Sequence, residues 1–362
     1  MNVKKTISTL SILCALLMTF SGCSSGETVM TYNNSKISEN EFQYYLATYK
    51  GRFQQAYTDF SDTAEFYASE ITDGITYETY LFDMILENIK RTLVCDALFD
   101  EMDLKLNSSV EENIDYYIND YIAEYANGSK NQFNAALSEY GINASMLKEI
   151  YLRDEKTAAV FSAMYGSSGT TPVTDTDRTA YLEKNYVRVR HIYVNNKYVY
   201  ATDADGYALY TSDGLKQTKA MEGEELEAKN ALIAAIDESL ADGDDFKAVY
   251  DAFSEDKYYS NGYYLTRSTD FVSEVVTSAF ELEEGEYVKI QSDVGTHYIQ
   301  RLALDDAPWD NDTNADFFTD YDTVVAEALF AEYLNSLLPS VETNNAVLDR
   351  YSVETSSINY RF

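Results

Sequence analysis

The chain has 362 residues, 45% of them hydrophobic, with only 15 glycines and 3 prolines, so it can bury more than one core and is not disordered as a whole. Its 27 Lys and Arg against 61 Asp and Glu give a formal charge of −34, which repels a phosphate backbone and excludes nucleic acid as a partner. Two histidines, His191 and His297, and three cysteines, Cys14, Cys23 and Cys95, are too few for a four-ligand Cys/His zinc centre, and no metal or other cofactor is expected.

Residues 1–22 read as an export signal. Lys4 and Lys5 precede an apolar run from Leu10 to Phe20, and the small residues Ser21 and Gly22 lead to Cys23. The run is too short for a stable bilayer anchor, and no stop-transfer pattern follows it. Residues 23–28, with Ser24, Ser25 and Gly26, form a short flexible tether. Cleavage before Cys23 removes two lysines and no acids, leaving 25 basic and 61 acidic groups and a formal charge of −36. Phe20-Ser21-Gly22-Cys23 resembles the bacterial lipobox, which implies a lipid on Cys23 and attachment to the extracytoplasmic face of a cell membrane. Cys95 is then the one free thiol, so no internal disulfide is expected, and its place in an apolar helix makes it a core filler.

Residues 29–185 predict a helical domain. Val29 to Ile37 reads as a strand interrupted by an Asn-Asn-Ser turn, and Ser38 with Glu41 has the spacing of a capping box ahead of a helix bearing Phe42, Tyr45, Leu46 and Tyr49. Leu81, Ile85, Ile89, Leu93 and Leu98 mark a long amphipathic helix within 75–102, and further helices follow over 108–126, 130–140 and 144–165. Gly166 to Thr176, small and polar with Pro172, is the best linker candidate, and Thr174 with Asp177 caps a helix to Asn185.

At Tyr186 the period changes. Val187, Val189, His191 and Tyr193 alternate with Arg188 and Arg190, the pattern of a half-buried strand. Tyr198 to Thr211 reads as a hairpin turning at Asp205-Gly206, inside an insertion over 197–221. Helices at 224–241 and 246–253 and strands at 287–290 and 296–302 complete an α+β module, a small antiparallel sheet flanked by helices, over 186–304. After Pro308 a helix is expected over 315–338. Residues 305–362 are too few to bury a core alone and are expected to pack back on the N-terminal helices, making the module an insertion.

This order of parts resembles the extracellular foldase lipoproteins of the PrsA type, relatives of the SurA chaperones. V-R-V-R-H-I-Y-V at Val187 to Val194 resembles the first strand of a parvulin domain. D-F-K-A-V-Y-D-A-F-S-E-D at Asp245 to Asp256, Asn261-Gly262, Ser278-Ala279-Phe280, Gly285-Glu286 and Gly295-Thr296-His297-Tyr298-Ile299 follow in that family's order. The resemblance implies a peptidyl-prolyl cis–trans isomerase working without a cofactor on unfolded or partly folded exported proteins, held to the membrane through Cys23, and it admits a homodimer. It also implies a central network of His191, Asp256 and His297, and a proline pocket lined by Phe271, Val275 and Leu265. Phe271 and Val275 stand where the family has Met and Phe, and Asn261-Gly262-Tyr263-Tyr264-Leu265 replaces its glycine-rich turn.

Other chemistries fit less well. No nucleophile elbow lies near either histidine, and Asp203-Ala204-Asp205-Gly206 lacks the spacing of a calcium loop. The alternative to the isomerase is a non-catalytic holdase that keeps the parvulin fold, with a surface-binding lipoprotein as a third reading. Tyrosines are abundant on the N-terminal helices, at Tyr44, Tyr45, Tyr49, Tyr57, Tyr116, Tyr117, Tyr121 and Tyr125. Only a cluster of them on one concave face would form a client surface; singly they are half-buried helix residues.

Overall fold

The computed structural model describes residues 26–166 and 168–362. The expected signal segment and Cys23, the expected site of lipidation, lie outside the described residues. The chain is α+β and divides into two compact units, Met1–Pro172 with Ala328–Phe362, and Val173–Glu327.

The first unit begins with β1 (Thr28–Tyr32) and β2 (Ser35–Ser38), joined at Asn33, whose φ of +50° is the left-handed conformation that Asn tolerates in a tight turn. α1 (Glu39–Ala56) starts on the expected capping box: Ser38 Oγ accepts the Glu41 N–H, and the Glu41 carboxylate accepts the Ser38 N–H at 2.8 Å. α2 (Ala64–Ala68) and a small hairpin of β3 (Glu70–Thr72) and β4 (Ile75–Thr76) precede α3 (Tyr77–Glu101). The long helix expected from residue 75 therefore starts two residues later, capped by Thr76 Oγ1. α4 (Ser108–Ala126), α5 (Lys130–Leu137) and α6 (Ala144–Tyr165) complete this part. Ile85, Ile89, Leu93 and Cys95 are fully buried along α3, and burial pushes the Cys95 thiol up to about 11. Tyr44 and Tyr45 are core residues, whereas Tyr57, Tyr116 and Tyr117 are exposed.

The second unit contains α7 (Asp175–Asn185), β5 (Val187–Val194), β6 (Tyr198–Tyr200), β7 (Thr218–Ala220), α8 (Gly223–Ala241), α9 (Phe246–Phe253), β8 (Tyr263–Leu265), α10 (Ser273–Glu281), β9 (Tyr287–Gln291) and β10 (Thr296–Leu302). Four strands form an antiparallel sheet in the order β8-β5-β10-β9. Because side chains alternate along a strand, β5 feeds two cores. Ile192 and Val194, with Tyr298, pack against Ile236 of α8 and Val249 of α9. Val187 and Val189, with Ile299, pack against Val275 and Ala279 of α10. Between β6 and β7 the expected turn at Asp205-Gly206 is present, and a second turn brings Tyr210 opposite Lys216. Three backbone hydrogen bonds close a ring there, from the Ala201, Leu209 and Gln217 N–H groups to the Gln217, Ala201 and Leu209 carbonyls.

Two boundaries differ from the sequence expectation. Residues 173–185 and 305–327 belong to the second unit, not to a helical domain over 29–185 or to a C-terminal segment over 305–362. The cause is local pairing. Asp305 forms an ion pair with Arg188 and accepts the Tyr264 hydroxyl, Phe318 stacks on Tyr186 at 5.4 Å, and Asp322 takes the Arg178 guanidinium through both carboxylate oxygens. The helix expected over 315–338 is α11 (Tyr321–Leu337). A 3₁₀ turn over Asp312–Phe317 and the left-handed Asp320, at φ +53°, delay its start. Downstream, β11 (Glu342–Thr343) pairs with β1, and α12 (Asn345–Leu348) contributes Val347 and Leu348 to the core of the first unit. Gly51 of α1 allows the 359 backbone to approach closely, since a Cβ there would lie 2.0 Å from the Asn359 carbonyl oxygen.

Candidate active site

The two histidines of the chain lie on adjacent central strands of the second unit. In the β5/β10 register His191 is opposite Ile299 and His297 is opposite Tyr193, so the histidines are diagonal neighbours on the face that also carries Val189 and Ile299. Their ring centroids are 5.1 Å apart with 14° between planes, and Nε2 of His191 lies 2.9 Å from Nδ1 of His297. The other ring nitrogen of His297, Nε2, is 2.7 Å from Ser292 Oγ. Ser292 Oγ also accepts the Val294 N–H and faces the Gly295 carbonyl. A relay of hydrogen bonds thus runs from the β9–β10 turn to Nε2 of His191, and it can be made with both rings as neutral tautomers.

Electrostatics favours that state. Burial, together with His297, pushes His191 down to about 3, and burial also lowers His297 against a weaker opposing pull from Glu274. Both imidazoles are uncharged at neutral pH.

His191 forms part of the wall of a cavity of about 430 Å³, within the size range of small-ligand clefts. The Phe271 ring stands edge-on to His191, 5.8 Å away at 90°, and is 42% exposed at the mouth. Tyr263 of β8 lies 6.2 Å from both rings, and Phe317 stacks on Tyr263 from the other side. The Tyr263 hydroxyl is buried with no hydrogen-bond partner among the described residues, and burial, helped by the Asp256 charge, pushes its pKa up. The cavity therefore offers aromatic faces, while the Tyr263 hydroxyl is buried behind them.

The residues expected from sequence divide. His191, Asp256, Leu265 and Phe271 line this one cavity, and His297 stands behind His191. Asp256 does not take the expected place in the histidine network. Its Oδ1 accepts the Tyr258 N–H and its carbonyl accepts Ser254 Oγ, so the hydroxyl of Ser292 is the third member instead. Val275 is fully buried on the inner side of α10 and does not line the cavity; four residues before Ala279, it shares that residue's core-facing side of the helix. Tyr263, Phe317 and Ser292 were not anticipated. Ser292 carries no motif, and Phe317 comes from the segment assigned elsewhere by sequence. Tyr263 shares the face of His191 because it pairs with Val189, a register that only the structure sets.

No protein-family model matches the chain, and no curated protein does. Among solved structures it is similar to PrsA from Bacillus subtilis, at 17% identity over 77% of this chain and 90% of that one, with a TM-score of 0.24. It is also similar to the peptidylprolyl isomerase PrsA from Bacillus cereus, at 17% identity over 78% and 90% with a TM-score of 0.25. The foldase protein PrsA from Streptococcus pneumoniae is similar at 13% identity over 86% and 91%, with a TM-score of 0.22. TM-scores of this size carry no argument.

Proposed function

We propose that the second unit is a peptidyl-prolyl cis–trans isomerase and that the protein is an exported, lipid-anchored foldase acting on X-Pro bonds of unfolded clients. The observation that carries this reading is the neutral, hydrogen-bonded His191–His297 pair set against an aromatic cavity. Rotation about X-Pro crosses a barrier of about 18–20 kcal/mol because resonance gives the C–N bond double-bond character. A proline ring held by Phe271, Leu265 and Tyr263 would leave water behind, and a less hydrated amide twists more easily because the twisted form is less dipolar. An uncharged floor suits this, since an imidazolium would hold the ground-state carbonyl. His297 and Ser292 are positioning residues that act through His191. Among the described residues no helix is long and apolar enough to cross a membrane, and the anchoring part of the proposal rests on the lipobox-like segment ending at Cys23.

A second reading, a holdase without catalysis, is favoured by the burial of Val275, one of the two residues expected to grip the proline ring. A protease-coupled assay on a short X-Pro peptide decides between them. The isomerase reading expects a rate above background that Phe271→Ala lowers about tenfold or more. A background rate, with aggregation of an unfolded client still suppressed, would establish the holdase.

A further inference from the structure

A second cavity, of about 390 Å³, lies in the first unit between α1, α2, the β3–β4 hairpin and the start of α3. Its interior is aromatic: Phe66 stacks on Tyr77 at 4.5 Å and tilts against Phe60 at 5.1 Å. Its rim leaves large apolar side chains in water, with Tyr57 63%, Ile71 41% and Tyr80 45% exposed. Exposed apolar groups that converge on one hollow from several elements mark a binding surface, unlike the same groups scattered singly.

The charge around this hollow has one sign. Its one charged lining residue is Asp59, and residues 53–89 hold eight Asp and Glu with no Lys or Arg. Asp62, Glu65, Glu70 and Asp73 are exposed on α2, the hairpin and their flanks. Of the basic residues just upstream, Lys50 is 1% exposed and neutralises Asp62 at 2.8 Å, which leaves Asp59, Glu65, Glu70 and Asp73 as the acids of this surround, and Arg52 lies over the Tyr49 ring.

We propose that this hollow docks a cationic polypeptide segment, one that places aromatic or aliphatic anchors in the cavity and sets Lys or Arg against the acidic rim. Acids spread along α2 and the hairpin match several positive charges along a chain better than one small cation. An anionic lipid surface would be repelled by the same rim. A second copy of this chain meeting it isologously would set acid against acid. The site is independent of the isomerase reading, because nothing in it selects proline.

The test uses the full chain and three labelled, proline-free peptides of equal Phe and Leu content, one Lys-rich, one neutral and one Glu-rich, in fluorescence anisotropy at physiological salt. The Lys-rich peptide is expected to bind about tenfold or more tighter than the neutral one, and the Glu-rich peptide weakest. Ile71→Ser with Tyr80→Ser, both exposed, and separately Glu70→Lys with Asp73→Lys, are expected to weaken the Lys-rich peptide about fivefold or more while melting as the parent does. Asp205→Asn with Asp213→Asn, charges in the β6–β7 segment of the second unit, tests for a mere effect of net charge and is expected to change little. Equal affinity for the three peptides would overturn the proposal. So would an equal loss from the β6–β7 and rim variants, a dimer dissolved by the rim variants, or capture of lipid vesicles in place of the peptide. Isomerase activity is expected to survive the rim variants, so failure of either site leaves the other readable.

Discussion

His191 Nε2 and His297 Nδ1 meet at 2.9 Å across the central strand pair β5/β10, with Ser292 Oγ closing the other side of His297. Each ring is the hydrogen-bond partner of the other in a buried setting, so removing one strands the other. His191→Leu alone and His297→Leu alone are each expected to cost about 1–3 kcal/mol, the penalty of an unsatisfied buried polar group. The double variant is expected to cost less than the sum, because both polar groups then leave together. Urea unfolding of the four proteins in a double-mutant cycle measures the coupling; strict additivity would mean that the bond contributes nothing.

The same pair sets a pH dependence. His191 titrates near 3 in the native protein against an ordinary value of 6.5, so below about pH 6.5 the unfolded chain takes up a proton that the folded one does not. Stability from this group is complete above pH 6.5 and falls as the pH drops toward 3, by at most about 1.4 kcal/mol per unit. Urea midpoints between neutral and mildly acidic pH are expected to fall more steeply for the parent than for His191→Gln. Parallel slopes would contradict the depressed pKa.

Phe271 separates catalysis from stability. Its ring is 42% exposed yet stands edge-on to His191 at the cavity mouth. Phe271→Ala is expected to lower the melting temperature by only a few degrees, in keeping with about 1 kcal/mol or less, while reducing the isomerisation rate about tenfold or more. Tyr263→Phe removes only the unpartnered hydroxyl, so it is expected to be neutral or stabilising; a fall in rate would then mark that hydroxyl as a substrate contact.

Gly262, just before β8, has φ +90°, and a Cβ there would lie 2.7 Å from Leu302 Cδ1 and 2.8 Å from the Val189 carbonyl oxygen. Gly262→Ala is expected to destabilise the protein by about 1–3 kcal/mol through backbone strain and close contact. Because Tyr263 follows directly, the isomerisation rate is expected to fall as well, read with a shift of the urea midpoint. An unchanged midpoint would show that β8 adjusts freely.

The α+β class, the helices of the first half and the strands bearing both histidines were legible because each is a local pattern. The Ser38 and Glu41 spacing, the heptad-like run from Leu81 to Leu98 and the alternation from Val187 to Tyr193 express backbone geometry directly in residue order. The pairing of His191 with His297 belongs to a different kind of information. It depends on the register that sets them diagonally on one face, which a one-residue slip would undo. Tertiary structure alone substituted Ser292 for Asp256 in the relay, sank Val275 into the core and brought Phe317 over Tyr263. It also assigned residues 305–327 to the second unit, through the Arg188–Asp305 and Arg178–Asp322 pairs. The sequence by itself determined which segments fold as helix or strand and which residues are chemically suited to the site. Which of them meet was decided by contacts between residues far apart in the chain, whose partners local periodicity does not encode.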